Sequence, residues 1–100
     1  MSLEATTENV VKMAQAADAL GSSIKFVFNG GEGAVLINGH GEENTVSNDD
    51  GEADCTVNVD KGDFDEMISG DLNPMAAFMS GKLKIEGDMG VAMKLSSLFG

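Results

Sequence analysis

Side chains that could do chemistry are few in this chain, and their types and spacing limit what they could do. His40 is the only histidine and Cys55 the only cysteine, in the separate stretches Asn38-Gly39-His40-Gly41 and Ala53-Asp54-Cys55-Thr56. One imidazole and one thiol offer no transition-metal cluster of the nitrogen and sulfur kind. Asn48-Asp49-Asp50-Gly51-Glu52 looks like a calcium loop. Aligning Gly51 with that loop's required glycine, however, puts Val46 and Val57 where the first and last carboxylates belong. Gly31-Glu32-Gly33 is followed by Leu36 where a dinucleotide-binding turn needs glycine, and it joins two strand-like runs instead of opening a helix. Asp60, Asp63, Asp65 and Glu66 could serve as acids or bases, yet they crowd the first turns of a helix, where the dipole favours carboxylates without any catalytic duty. Lacking a nucleophile, a general base and a metal set, the sequence predicts a protein that is not an enzyme and carries no cofactor.

The charge balance removes further classes. Seventeen acidic residues stand against six lysines and no arginine, a formal net charge of −11. Phosphate backbones and anionic bilayer surfaces are repelled at long range, so nucleic acid is not an expected partner, and the charge is accounted for by solubility or by a saline host. A length of 100 residues suits one domain over residues 1–100 with a single core. The longest apolar run, Met75 to Met79, is far below the roughly 18 residues that span a bilayer. Met1-Ser2-Leu3-Glu4 has neither the basic nor the apolar part of a secretory signal. One thiol rules out an internal disulfide framework and suits a reducing compartment, here taken as the cytoplasm, and a monomer is expected.

Elements must position whatever site exists. Leu3, Val10, Ala14, Ala17 and Leu20 recur at helical spacing, with Gly21 as the stop. Ile24 to Asn29 reads as a strand, turned by Gly30-Gly31-Glu32-Gly33 into a hairpin partner, Ala34 to Ile37. Asn44 to Asn48 is a weak third strand. Ala53 to Val59 is a fourth, whose alternation puts Cys55, Val57 and Val59 on one face. Asp60 is placed to cap a short helix with Phe64, Met67 and Ile68 on one stripe and Gly70 as its end. Asn73-Pro74 starts a second helix that ends at Gly81. Lys82 to Glu86 alternates as a fifth strand with Leu83 and Ile85 inward, and a last helix runs from Met89 to Phe99. This order predicts an α+β fold with helices packed on one face of a five-stranded, mainly antiparallel sheet.

The late helices carry too much apolar surface for one contact. Pro74-Met75-Ala76-Ala77-Phe78-Met79-Ser80 has no charge on any side, and Met89, Val91, Met93, Leu95, Leu98 and Phe99 leave the last helix only a narrow polar strip. Five of the seven methionines, Met67, Met75, Met79, Met89 and Met93, lie on these three helices. Methionine repacks around varied apolar shapes, which suits a ligand wall, and it also fills gaps in ordinary cores.

Ala53 to Val59, ADCTVNV, and Ser69 to Leu95, SGDLNPMAAFMSGKLKIEGDMGVAMKL, resemble the sterol carrier protein type 2 domain, also called the nonspecific lipid-transfer protein of animals. The Asn-Pro start, Ala77-Phe78, Gly81 to Ile85, Gly87 and Ala92 to Leu95 carry the likeness, which covers about half of the chain closely. The resemblance implies an apolar tunnel between sheet and helices that takes a lipid or fatty acyl ligand. The residues expected to line it are Phe26, Phe28, Val57, Phe64, Met67, Ile68, Met75, Phe78, Met79, Leu83, Ile85, Met89, Met93 and Leu95. Lys82, Lys84 or Lys94 would meet an acidic headgroup at its entrance, although Lys82 and Lys84 also fit a solvated strand face. The ending Leu98-Phe99-Gly100 is not a peroxisomal tripeptide. Three functions follow: a carrier of fatty acids or fatty acyl-CoA with transient membrane contact, a docking or dimerisation domain, or an accessory domain that delivers substrate to an acyl-processing enzyme.

Overall fold

The sheet is organised around β1 (Ser23–Phe28), where Ile24, Phe26 and Phe28 alternate with Lys25 and Val27. The computed structural model describes residues 2–94, apart from the side chains of Met89 and Ala92. A tight turn at Asn29–Gly31 leads into antiparallel β2 (Gly33–Asn38), which sets Phe26 opposite Val35 and Ile24 opposite Ile37. Beyond β2 lies β3 (Thr45–Ser47), also antiparallel. On the other side of β1 runs β4 (Cys55–Val59), parallel to it, followed by the antiparallel edge strand β5 (Leu83–Gly87). The order β3-β2-β1-β4-β5 is the expected five-stranded, mainly antiparallel sheet, with one parallel pairing.

Period-2 alternation puts Ile24, Phe26, Phe28, Val35, Ile37, Cys55, Val57, Val59 and Leu83 on one inner face, and all are buried. Each described helix sets part of an apolar stripe against that face. The stripe is Val10 and Ala14 from α1 (Leu3–Ala16), Phe64 and Met67 from α2 (Lys61–Ser69), Ala77 from α3 (Pro74–Met79) and Val91 from α4 (Met89–Ala92), all in one cluster with the sheet. The Phe64 ring lies 4.8 Å from Phe26 and 5.2 Å from Phe28, tilted against both, which is the favoured way for rings to meet. The connection from β3 to β4 is held against the outer face, where the Lys25 ammonium donates to the Gly51 carbonyl at 2.9 Å and pairs with Asp50 at 3.0 Å.

Three elements differ from expectation, each for a tertiary reason. Helix α1 stops at Ala16, not at Leu20, because the Asn44 side chain captures the chain there. Its amide donates to the carbonyls of Ala14 and Asp18, and its oxygen accepts the Leu20 N–H. Those groups would otherwise serve another helical turn. Gly21, at φ +71°, instead makes the bend into β1. Asp60 does sit at the start of α2, yet its carboxylate accepts from the Asn29 amide at 2.9 Å and leaves the helix N–H groups uncapped by that side chain. β4 begins at Cys55, two residues late, because Asp54 is committed to Ser23 in the preceding turn.

The remaining stops follow the sequence. Gly70 ends α2 in the left-handed region at φ +90°, and the Asn73 side chain accepts from the N–H groups of Met75 and Ala76 at 2.8 and 3.4 Å, with Pro74 in the first turn. Of the helix expected over Met89 to Phe99, α4 forms its start, and the part from Leu95 onward lies outside the described residues.

Because Phe64 is fully buried between two sheet phenylalanines, Phe64→Ala is expected to cost ~3–5 kcal/mol. Asn73→Ala, which removes only a cap, should cost ~1 kcal/mol. Chemical denaturation of both variants measures the contrast, and equal losses would show that α2 does not anchor the helical layer.

Candidate functional site

The reactive residues do not converge on catalytic geometry. Asp54 stands between His40 and Ser23, and one of its carboxylate oxygens takes both the His40 Nε2 at 2.8 Å and the Ser23 N–H at 2.9 Å. The Ser23 hydroxyl in turn accepts the Asp54 N–H at 2.9 Å. A nucleophilic relay needs imidazole between hydroxyl and carboxylate, whereas here the carboxylate is in the middle. The trio is a clasp that ties the loop after β2 to the starts of β1 and β4. The Ser23 N–H does most to hold the Asp54 carboxyl below its ordinary value, desolvation opposes it, and His40 adds to the lowering. Cys55 is fully buried, and burial, with Asp88 adding to it, pushes its thiol up, which suppresses the reactive thiolate. Asp65 serves structure as well, accepting from the Thr6 hydroxyl at 2.7 Å and pairing with Lys61 at 3.3 Å to join α1 to α2. Among the described residues no three His, Cys, Asp or Glu side chains come together as a metal would require.

The apolar residues sort into three tiers. Phe26, Phe28, Val57, Phe64, Met67 and Leu83 belong to the sealed core. Ile68 and Ile85 are half-buried against it, and so is Leu72. Met75, Phe78 and Met79 on α3 and Met93 after α4 are open to solvent. Phe78, expected to line the tunnel, is 41% exposed, and Ala77 takes the inward position on α3. Met89 and Leu95 are not described at the side-chain level.

Ile85 marks where the cover thins. On the inner face of β5, Leu83 is sealed where α3 runs directly into the strand, and Val91 is sealed where α4 leaves it, but Ile85 between them is only partly covered. Its neighbour across the ladder, Val57, is completely buried. The apolar inner face of the sheet is therefore only partly covered at Ile85 on the edge strand. Leu72 is the residue that sequence reasoning passed over. Its signal was the spacing to Ala77, that of a hydrophobic staple around the Asn73 cap. The lysines divide, with Lys94 donating to the Leu20 carbonyl at 2.7 Å while Lys82 and Lys84 are exposed. Two hollows of about 500 and 380 Å³ lie elsewhere, one at the β1–β2 turn beside Asn48 and Asp50, the other beside Asp18, Glu42 and Glu43.

A five-stranded sheet covered by helices on one face, with Ile85 only partly covered at its edge strand, defines an α+β domain of one sheet and one helical layer. Comparison with known proteins gives the same class. The family profile of the SCP-2 sterol transfer family matches residues 2–100, and the chain belongs to that family of lipid-binding and transfer modules. The chain is 47% identical over 70 residues to the hydroxysteroid dehydrogenase-like protein 2 of Xenopus tropicalis, a match that covers 70% of this chain and 15% of that protein. It thus spans a small part of the length of the curated relatives it matches. The solution structure of the sterol carrier protein domain 2 of Helicoverpa armigera is similar at TM-score 0.65 and 34% identity, covering 97% of this chain and 76% of that one. The palmitated SCP2L2 of Aedes aegypti shares the fold at TM-score 0.74 and 21% identity, covering 99% of this chain and 95% of that one. No helix among the described residues is long and apolar enough to cross a membrane.

The lowered Asp54 value carries a sign. A carboxyl depressed in the folded state contributes stability that is present above the unfolded-state value and is lost as pH falls through the folded-state value. Asp54→Asn should therefore be less stable than wild type at neutral pH, with the gap closing below about pH 4. Urea melts across that range measure it, and a gap that stays constant would remove the clasp from the acid response.

Proposed function

We propose that this chain, as one domain over residues 1–100, carries a single fatty acid or fatty acyl-CoA, its tail in an apolar tunnel along the inner face of the sheet beside β5. The observation that supports this best is the set Ile68, Leu72 and Ile85, half-buried against the sealed core, together with the exposed Met75, Phe78 and Met79. Phe26, Phe28, Val57, Phe64, Met67 and Leu83 form the floor against which the tail rests, and Met75, Phe78, Met79 and Met93 form the wall that gives way to it; Met89 and Leu95, expected beside them, lie outside the described side chains. The palmitate of the Aedes aegypti relative favours an acyl tail as the ligand. The domain itself does no chemistry on its cargo, and the buried single thiol suits a reducing compartment such as the cytoplasm.

Burying a tail of about 16 carbons gains on the order of 10 kcal/mol from water, and a bilayer offers nearly the same, so loading and unloading are close to balanced. The match to a stretch of the hydroxysteroid dehydrogenase-like protein favours a second reading, an accessory domain that hands lipid to an enzyme on the same or a neighbouring chain.

A fluorescent fatty acid should be taken up one to one, and native mass spectrometry of protein purified from its own host should show a retained lipid adduct. Ligand at about a hundredfold over Kd contributes about 2.7 kcal/mol, which raises Tm by about 10 °C for a domain of this size. Ile85→Ser should weaken uptake by about tenfold without unfolding the protein. If neither fatty acid nor acyl-CoA moves Tm, and no adduct is retained, the carrier reading is wrong.

A further inference from the structure

The fold divides the sulfur of this chain into two kinds. Cys55, the only thiol, is sealed in the core, where burial and Asp88 both suppress the reactive thiolate. The thioethers are split. Among the described methionine side chains, Met67 is 2% exposed and Met13 is partly buried against the core, whereas Met75, Met79 and Met93 are 58%, 80% and 80% exposed. An oxidant arriving from solvent therefore meets thioether and not thiol.

Two of these open sulfurs share one place. Met75 and Met79 are four residues apart on α3, which sets them on the same side of that helix, one above the other. The helix is held in that orientation. The Asn73 side chain caps its start, the Lys82 N–H closes its end onto the Ala77 carbonyl at 2.9 Å, and Ala77 itself is fully buried. Because both sulfurs already stand in water, an oxygen added to either one disturbs no packing. The same oxygen on Met67 would place a polar group without a partner in the core.

We propose that Met75 and Met79 form a peroxide-sensitive modification site, whose oxidation to methionine sulfoxide turns down tail binding, an inference that rests on the lipid-carrying reading above. The thioether sulfur attacks one oxygen of a peroxide, and the S–O bond forms as the O–O bond breaks. The proton on the transferred oxygen passes to the departing hydroxide, which leaves as water, and the sulfur supplies the two electrons that reduce the peroxide. A soft apolar atom has become a strong hydrogen-bond acceptor. In the free protein that acceptor is hydrated. When a tail covers α3 it loses its water and finds no donor on a hydrocarbon chain, so the cost falls on the complex alone. Methionine sulfoxide reductases, one for each sulfoxide epimer, take two electrons from thiols and return the thioether with the oxygen leaving as water, which makes the change reversible.

Treatment with hydrogen peroxide, read by peptide mapping, tests the site. Met75 and Met79 should each gain an oxygen well before Met67, and the melting temperature of the treated protein should stay close to that of the untreated. The treated protein should take up a fluorescent fatty acid about tenfold more weakly, and the two reductases with thiol should restore uptake. Joint Met75→Leu and Met79→Leu should bring the ratio of affinities before and after peroxide from about tenfold to about one, whereas Met13→Leu should leave that ratio as in wild type. Met67 oxidising as fast as the α3 methionines, or a peroxide effect that survives in the double leucine variant, would overturn the proposal. Oxidation of both methionines with uptake unchanged would overturn it too and leave the carrier reading standing. Reduced protein that takes up no fatty acid would sink the carrier reading and this regulation with it.

Discussion

The Phe64 ring, set against Phe26 and Phe28 on the central strand, is the contact through which the helical layer depends on the sheet. Both partners lie on β1, which pairs with β2 on one side and β4 on the other, so the position of α2 is referred to the middle of the sheet. From there the chain has little freedom. Gly70 turns it, the Asn73 cap starts α3 within a few residues, and α3 runs straight into β5 at the sheet's edge. Moving Phe64 would therefore displace the edge strand and the seam beside Ile85 together.

An edge strand is normally a hazard, since its unpaired backbone groups invite another chain. This sheet manages both of its edges. β3 has only three residues, too few to template a long pairing, and β5 carries Lys84 and Glu86 on its outer face. The inner face of β5 is where cover is thin. An apolar ligand entering at Ile85 would complete the packing that α3 and α4 leave unfinished there, so the least protected part of the fold coincides with the place where a tail would gain most by arriving.

Much of this architecture was legible because period and punctuation agreed locally. The Ile24 to Phe28 alternation, the glycine turn after it, the Cys55-Val57-Val59 face, the Asn73-Pro74 start and the Gly70 stop each rest on neighbours in sequence, and each formed. What was not legible came from partners far along the chain. Asn44 ends α1 from 30 residues away through the Ala14 carbonyl, and Asn29 draws the Asp60 carboxylate off its own helix from 31 away. The candidate site divides on the same principle. Strand alternation placed Phe26, Phe28, Val57 and Leu83 inward correctly, but in a helix as short as α3 periodicity cannot choose which residue faces in. Packing set Ala77 inward and left Phe78 and Met79 outside.

That choice of Ala77 as the inward residue has a functional consequence. With alanine there, Leu83 is sealed and Met75, Phe78 and Met79 are left outside, where apolar surface in water costs the folded state its contribution and gains nothing in return. Selection for stability alone does not favour that arrangement. An exposed Met-rich helix next to an apolar seam makes sense where the surrounding medium is intermittently apolar. On the carrier reading a tail would exchange between two environments of nearly equal affinity, and the domain would need only to lower the barrier between them. On this argument the rate of loading depends on how far α3 can lean away from Ile85, whereas the affinity depends on the sealed floor beneath, so changes at the two tiers should separate kinetics from equilibrium.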